Sequence, residues 1–308
     1  TRTSSSAASD VYKRQMLGDM ESGDAIDWTS EITPWMNGAV FTTHGQQGHR
    51  IWWTNGSVTT SIWQAPWFSA TVSSDLLNQS TSLSSFGQGL LRGDAFGLWF
   101  AAKDAQAGLE MIFLSNDGVL HIHDLQPFGD SSPSQGLSVD GGFVVAASDG
   151  TGRQLAKLDY NGGHQWLTSL TREGTTTPVS VMAPAFGIEQ LGDIIVFDAV
   201  HRGADATLFG YTLTTGVVEE LSTNILAPGH SNEVVSDGTT IWFDCVLGHT
   251  GMELCQTDGT VSGTALTIDL MPGISTSQPR SMAYVDSTLY VLAPVSYTHL
   301  TLPTMMSV

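Results

Sequence analysis

The chain has 308 residues, 41% of them hydrophobic, and carries 30 acidic against 11 basic residues for a net charge of −19. A surface this acidic repels phosphate backbones and anionic headgroups, which argues against nucleic-acid binding and electrostatic membrane binding. No apolar run approaches the 18 or so residues of a membrane helix, no long stretch has helical periodicity, and the length suffices for one large β domain with a full core.

In chain order, residues 1–15 (TRTSSSAASDVYKRQ) and, at the other end, residues 295–308 (VSYTHLTLPTMMSV) fit neither the composition nor the rhythm of the residues between them. Both resemble translated sequencing-adapter read-through, so they are set aside as non-native tails and the chain reads as an internal piece of a longer protein. Residues 16–31 are polar and acidic and read as a linker. From residue 32 to 294 the pattern is one β domain. Short runs of alternating or apolar residues are separated by Asn-Gly and Asp-Gly turns, whose first residues tolerate positive φ.

These runs group into units of four. Residues 32–64 give a degraded first unit with turns at Asn37-Gly38 and Asn55-Gly56. Residues 89–125 give a second, with strands near LLR, FGLWFAAK, LEMIFLS and VLHIHDL. Residues 136–170 and 187–223 give a third and a fourth. Residues 233–270 give a fifth, and residues 281–294 begin a sixth that stops after two strands. Between Trp99 and Glu110 the second unit aligns without a gap with Trp242 to Glu253 of the fifth. Self-similarity at roughly 50 residues signals an array or a propeller. The expected fold is therefore an all-β propeller of four-stranded antiparallel meander blades, about five complete and one partial, with an open array as the other arrangement of the same units.

The fifth unit contains ELCQTDGTVSGTALTIDLMPG, residues 253–273. Glu253, Leu254, Thr257, Asp258, Gly259, Thr260, Gly263, Thr264, Asp269, Pro272 and Gly273 match the microbial repeats written ELWxxDGT, and the unit at Glu110 matches in part. The chain resembles that repeat family, whose members are mostly large, secreted or surface-attached and propeller-like. The resemblance implies an extracellular or cell-surface setting and supplies no mechanism. QLAKLDYNGGHQW, in the third unit, is closer to quinoprotein-type propeller repeats.

Candidate chemistry is sparse. The two cysteines, Cys245 and Cys255, flank one hairpin turn and are either a cross-strand disulfide or two buried thiols. His121, His123 and Asp124 are candidate metal ligands, since alternating strand residues share a face. Asp124, however, occupies the position of Asp269 and so belongs to the repeat skeleton. His44, His201 and His249 fall near the turns between second and third strands, on different units. Asp117, Asp140, Asp237 and Asp258 sit in hairpin turns that lack the donor spacing of a calcium loop, so weak calcium contact is the most they offer. No cofactor is expected. Glu219 and Glu220 are adjacent on a strand and face opposite sides. Trp52, Trp53, Trp63 and Trp67 form the densest aromatic cluster and are candidate ligand contacts, and the Ser/Thr-rich insert 66–85 is the most irregular loop.

With no assembled catalytic set, the sequence reads as a non-enzymatic binding or adhesion module whose partner is a glycan, a peptide or a protein. The alternatives are a hydrolase with its site at the mouth of the central channel and a purely structural spacer.

Overall fold

The computed structural model describes residues 25–26, 32–45, 48–62, 90–104, 107–179, 181, 187–202, 205–223, 225–226, 234–247 and 250–293. Both expected tails, most of the linker 16–31, the insert 66–85, Trp63, Trp67 and His249 lie outside the described residues, as does the side chain of His44.

Each unit folds as a sheet of its own. The first holds β1 (Ala25–Ile26), β2 (Thr33–Trp35), β3 (Gly38–Gly45), β4 (Gly48–Thr54) and β5 (Thr59–Ser61), with β1 and β2 both pairing β3. The second is β6 (Leu91–Gly93), β7 (Gly97–Asp104), β8 (Gly108–Ser115) and β9 (Leu120–His123). The third is β10 (Gln135–Val139), β11 (Gly142–Ser148), β12 (Arg153–Leu158) and β13 (His164–Trp166). The fourth is β14 (Ile188–Leu191), β15 (Ile194–Arg202), β16 (Asp205–Thr212) and β17 (Val218–Glu220). In the fifth, β18 (Ile225–Leu226) and β19 (Val234–Ser236) both pair β20 (Ile241–Leu247), followed by β21 (Met252–Thr257) and β22 (Ala265–Ile268). Among the described residues the sixth has β23 (Arg280–Val285) and β24 (Thr288–Leu292). All pairings are antiparallel, and the sheets run through their strands in chain order.

The sheets stack face to face. Alternation along β7 sends Leu98, Phe100 and Ala102 into a core shared with Val40, Ile51 and Ile62 of the first sheet. Trp99 and Ala101, one residue out of phase, enter a second core with Phe143, Val145 and Leu158 of the third sheet. The pattern repeats down the chain. Val144, Ala146 and Leu155 meet Ile195, Phe197 and Ala199, Val196 and Leu208 meet Ile241 and Phe243, and Trp242 and Leu254 meet Leu289. A sheet covered on both faces needs apolar residues at successive positions, which is why the second and third strands read as continuous apolar runs. Phe143, Phe197 and Phe243 are fully buried, and burial of such a ring contributes about 1.5–3 kcal/mol.

First strands lie against first strands: β2 on β6, β10 on β14, and β19 on β23. Four-stranded antiparallel sheets are thus present as expected, stacked in the manner of a β-propeller with the first strand of each sheet innermost.

The repeat motif has a physical account. Asp258 accepts from Thr260 N at 2.9 Å and Thr260 Oγ1 at 2.7 Å, closing a turn in which Gly259 takes φ +85°. Thr257 and Thr264, on the two arms, share a hydrogen bond of 2.6 Å, and a Cβ on Gly263 would strike the Asp258 carboxylate. Each residue of the TDGTxxGT string is therefore fixed by the turn it makes.

Candidate functional site

Two buried carboxylates stand out first. Glu253, one residue into β21, accepts from Leu270 N at 2.8 Å, Ser277 N at 3.2 Å and Ser277 Oγ at 2.7 Å. Glu110, its counterpart on β8, accepts from Leu125 N at 3.0 Å and Ser131 N at 2.9 Å. Both are fully buried. Each fastens the linker that leaves the fourth strand of its sheet, so the glutamate of the repeat is a staple between consecutive sheets. Burial pushes the Glu110 carboxyl up to about 7 against the opposing pull of its hydrogen bonds.

The two β9 histidines share a face, as alternation predicts. His123 is buried against Trp99 and bonds the Gly163 carbonyl through Nδ1 at 3.1 Å, which makes Nδ1 the protonated nitrogen. Burial drives its pKa down to about 4, so it is neutral at pH 7. His121 stacks on Phe113, while Asp124 is exposed beside Leu125. Among the described residues no three His, Cys, Asp or Glu side chains come together around a metal position. His201 meets the Thr171 carbonyl through Nδ1 at 2.7 Å.

Turn carboxylates are engaged locally. Hydrogen bonds from the Thr260 hydroxyl and amide hold Asp258 below the usual carboxylate range, and the Ser115 hydroxyl does the same for Asp117. Asp237 accepts from Thr239 N and Thr240 N, each at 2.8 Å, and Asp140 gives its backbone carbonyl to Lys157 Nζ at 2.9 Å.

Cys245 and Cys255 are joined, with Cα atoms 5.8 Å apart. They are diagonal across the ladder, since Cys245 lies opposite Glu253 and Cys255 opposite Phe243. Trp52 is buried, and Trp53 is half-buried in the core between the first two sheets with Nε1 directed at the Trp35 carbonyl. Neither ring is displayed as an open platform.

The charged pair that sequence reasoning missed lies on the innermost strands. Arg92 of β6 and Glu189 of β14 sit two sheets apart, yet the Arg92 charge acts on Glu189. Burial raises the Glu189 carboxyl above its ordinary range, and the guanidinium opposes that shift. Both residues stand on first strands, which pack against one another between neighbouring sheets. The only hint in the sequence was a single charge in each of two short first strands, LRG and IEQL.

No family model matches the chain, and no curated protein matches it in sequence. Solved structures do match in fold. A puromycin hydrolase covers 84% of this chain with 41% of its own, at 14% identity and a TM-score of 0.50. A puromycin-hydrolyzing peptidase of Mycobacterium tuberculosis covers 86% of this chain with 42% of its own, at 13% identity and a TM-score of 0.50. One of two prolyl endopeptidases covers 89% of this chain with 39% of its own, at 10% identity and a TM-score of 0.51. The chain thus spans about two fifths of the length of these proteins. The expectation of a non-enzymatic binding or adhesion module is corrected by this finding, because the architectures it resembles belong to hydrolases. Sequence reasoning went astray by requiring a catalytic set within the repeats themselves.

Proposed function

We propose that this chain is the propeller portion of a hydrolase acting on peptides or peptide-like amides, with substrate held at the mouth of the central channel by Arg92 and Glu189. The observation that carries the reading is the fold likeness, which takes in most of this chain and about two fifths of each hydrolase. Arg92 and Glu189, both on first strands, are consistent with it: a guanidinium and a carboxylate suit the carboxylate and ammonium ends of a peptide. This chain supplies walls. Glu110 and Glu253 are committed to backbone donors, and His123 and His201 each spend a ring nitrogen on a carbonyl.

In the same reading the propeller has five blades of four-stranded meander type, the first and fifth with one extra short strand, and two described strands of a sixth, built from ELWxxDGT-type repeats. The Cys245–Cys255 disulfide and the acidic surface favour a secreted or surface location. The test uses the uninterrupted polypeptide that carries this chain, with aminoacyl and prolyl p-nitroanilides as substrates. Amide hydrolysis is expected, with Glu189→Gln and Arg92→Met raising KM several-fold at unchanged kcat. No hydrolysis, or an unchanged KM in both variants, contradicts the proposal.

A further inference from the structure

The turns between first and second strands and those between third and fourth strands gather on one rim of the stacked sheets. Trp35 Nε1 donates to Asn116 Oδ1 at 3.1 Å, the Tyr160 hydroxyl reaches Asp94 Oδ2 at 3.4 Å, and Ile194 lies against Gly259. In each case the first kind of turn in one sheet meets the second kind in the next. Charge is divided unevenly between this rim and the opposite one. The first-to-second-strand turns of the second to sixth sheets each carry an aspartate (Asp94, Asp140, Asp193, Asp237 and Asp286). Asp117, Asp159 and Asp258 stand in third-to-fourth-strand turns. Among the described residues Arg92 and Lys157 are the cations near this rim, two residues before Asp94 and Asp159. Arg92 acts on Glu189, and Lys157 Nζ holds the Asp140 carbonyl. Lys103, Arg153, Arg172, Arg202 and Arg280 lie at the opposite strand ends or in the linkers there.

An aromatic cluster crops out at this acidic rim. Trp99, Phe113 and Phe143 are buried between the second and third sheets. Tyr160 packs 5.1 Å from Phe113 and 5.7 Å from Trp99, and Phe96 covers Tyr160 at 4.6 Å with the ring planes tilted by 42°. Phe96 is 59% exposed, so much of its ring meets water. Burial and the charges of Asp94 and Asp140 push the Tyr160 hydroxyl up to about 12, so the phenol is neutral at pH 7 and sits in a negative field. Asn116 N donates to the Phe96 carbonyl at 2.9 Å while its side chain holds the Trp35 indole, which joins this turn to the one bearing exposed Met36. Val119, Val217 and Val261 are exposed in third-to-fourth-strand turns of the same rim. An exposed aromatic ring attracts a cation through its quadrupole, and a surrounding negative field adds to that attraction.

We propose that this rim docks a basic polypeptide segment, with an arginine guanidinium laid on the Phe96 ring beside Asp140. Charge complementarity selects the partner, since the aspartates repel acidic and phosphate-bearing ones. Arginine suits the outcrop better than lysine, because the guanidinium is planar, weakly hydrated and stacks on an aromatic face. Asp94 contributes field rather than a salt bridge: its Oδ1 accepts from Phe96 N and Gly97 N, and its Oδ2 from the Trp99 indole. Met36 and the exposed valines receive the aliphatic stems of neighbouring basic residues. The inference rests on the division of charge and the Phe96–Tyr160 outcrop, and is independent of the hydrolase reading.

The test titrates the full chain into a fluorescein-labelled peptide of alternating arginine and glycine and follows anisotropy. Saturable binding is expected at low salt, weakening as ionic strength rises. Phe96→Leu keeps an apolar side chain but removes the ring, and is expected to weaken binding about three-fold. Asp140→Asn, which removes a charge beside Tyr160, is expected to weaken it as well. Phe128→Ser is the control: it removes a fully exposed ring from the linker at the opposite rim and is expected to leave binding unchanged. No saturable binding at low salt, or a Phe96→Leu chain that binds as tightly as the wild type, overturns the proposal. So does an equal loss in Phe128→Ser, which would leave only the net charge of −19 to attract the peptide.

Discussion

Glu253→Ala isolates the staple between the fifth and sixth sheets. The substitution removes the acceptor for Leu270 N, Ser277 N and Ser277 Oγ at a position with no access to solvent. Each donor left unpaired costs about 1–3 kcal/mol, and relaxation of the linker recovers part of that, so the net loss is about 3–4 kcal/mol. For a domain of this size each kcal/mol moves Tm by about 2–4 °C, which gives a fall of roughly 6–15 °C. Glu253→Gln keeps the shape and one oxygen but turns an amide NH2 toward N–H donors, so it is expected to fall between the wild type and the alanine variant. Thermal unfolding followed by tryptophan fluorescence reads all three, and Glu253→Ala combined with Ser277→Ala is expected to cost less than the sum of the separate losses. A Glu253→Ala variant melting within a degree of the wild type would refute the staple.

Further outcomes rest on the same geometry. Glu110, raised to about 7 by burial, adds stability below its ordinary range near 4.5 and loses it as pH rises through 7. The Tm difference between wild type and Glu110→Gln is therefore expected to shrink from pH 5 to pH 8, and a difference that grows over that window contradicts the assignment. His123, held down at about 4, acts with the opposite sign and loses stability as pH falls from 6.5 toward 4; subtracting the Glu110→Gln variant separates the two. The Cys245–Cys255 bond closes a short loop across a sequence separation of 10 and is expected to contribute about 2–3 kcal/mol. Two thiols titrated in unfolded, unreduced protein would rule the bond out. Phe197→Ala, which empties a fully buried site between the third and fourth sheets, is expected to cost about 3–5 kcal/mol in urea unfolding, and a loss below 1 kcal/mol would contradict the stacked-sheet core.

The sheets were legible because hairpin chemistry is local. Turn residues and apolar runs of strand length placed β7, β8 and β9 within a residue or two of where they form, and the gapless match of Trp99–Glu110 to Trp242–Glu253 set the second and fifth units in the same register. The role of the glutamates was hidden because their partners, Leu125, Ser131, Leu270 and Ser277, lie 15 to 24 residues away in linkers that carry no pattern. Arg92 and Glu189 were invisible for a related reason. The Arg92 charge acts on Glu189 from a sheet two apart, which no spacing along the chain encodes. The tryptophans misled in the other direction: Trp52 and Trp53 are dense in sequence because both faces of β4 are covered.

The radial arrangement is tested most directly by joining the two inner strands that only a common axis brings together. With Arg92→Cys and Glu189→Cys in one chain, a short bismaleimide is expected to cross-link the pair within a single molecule, seen as a shifted band and a linked peptide by mass spectrometry. Single-cysteine chains give no such product. Failure to cross-link in a double variant that melts like the wild type would mean that the second and fourth sheets do not face a shared channel, and the propeller account would fall.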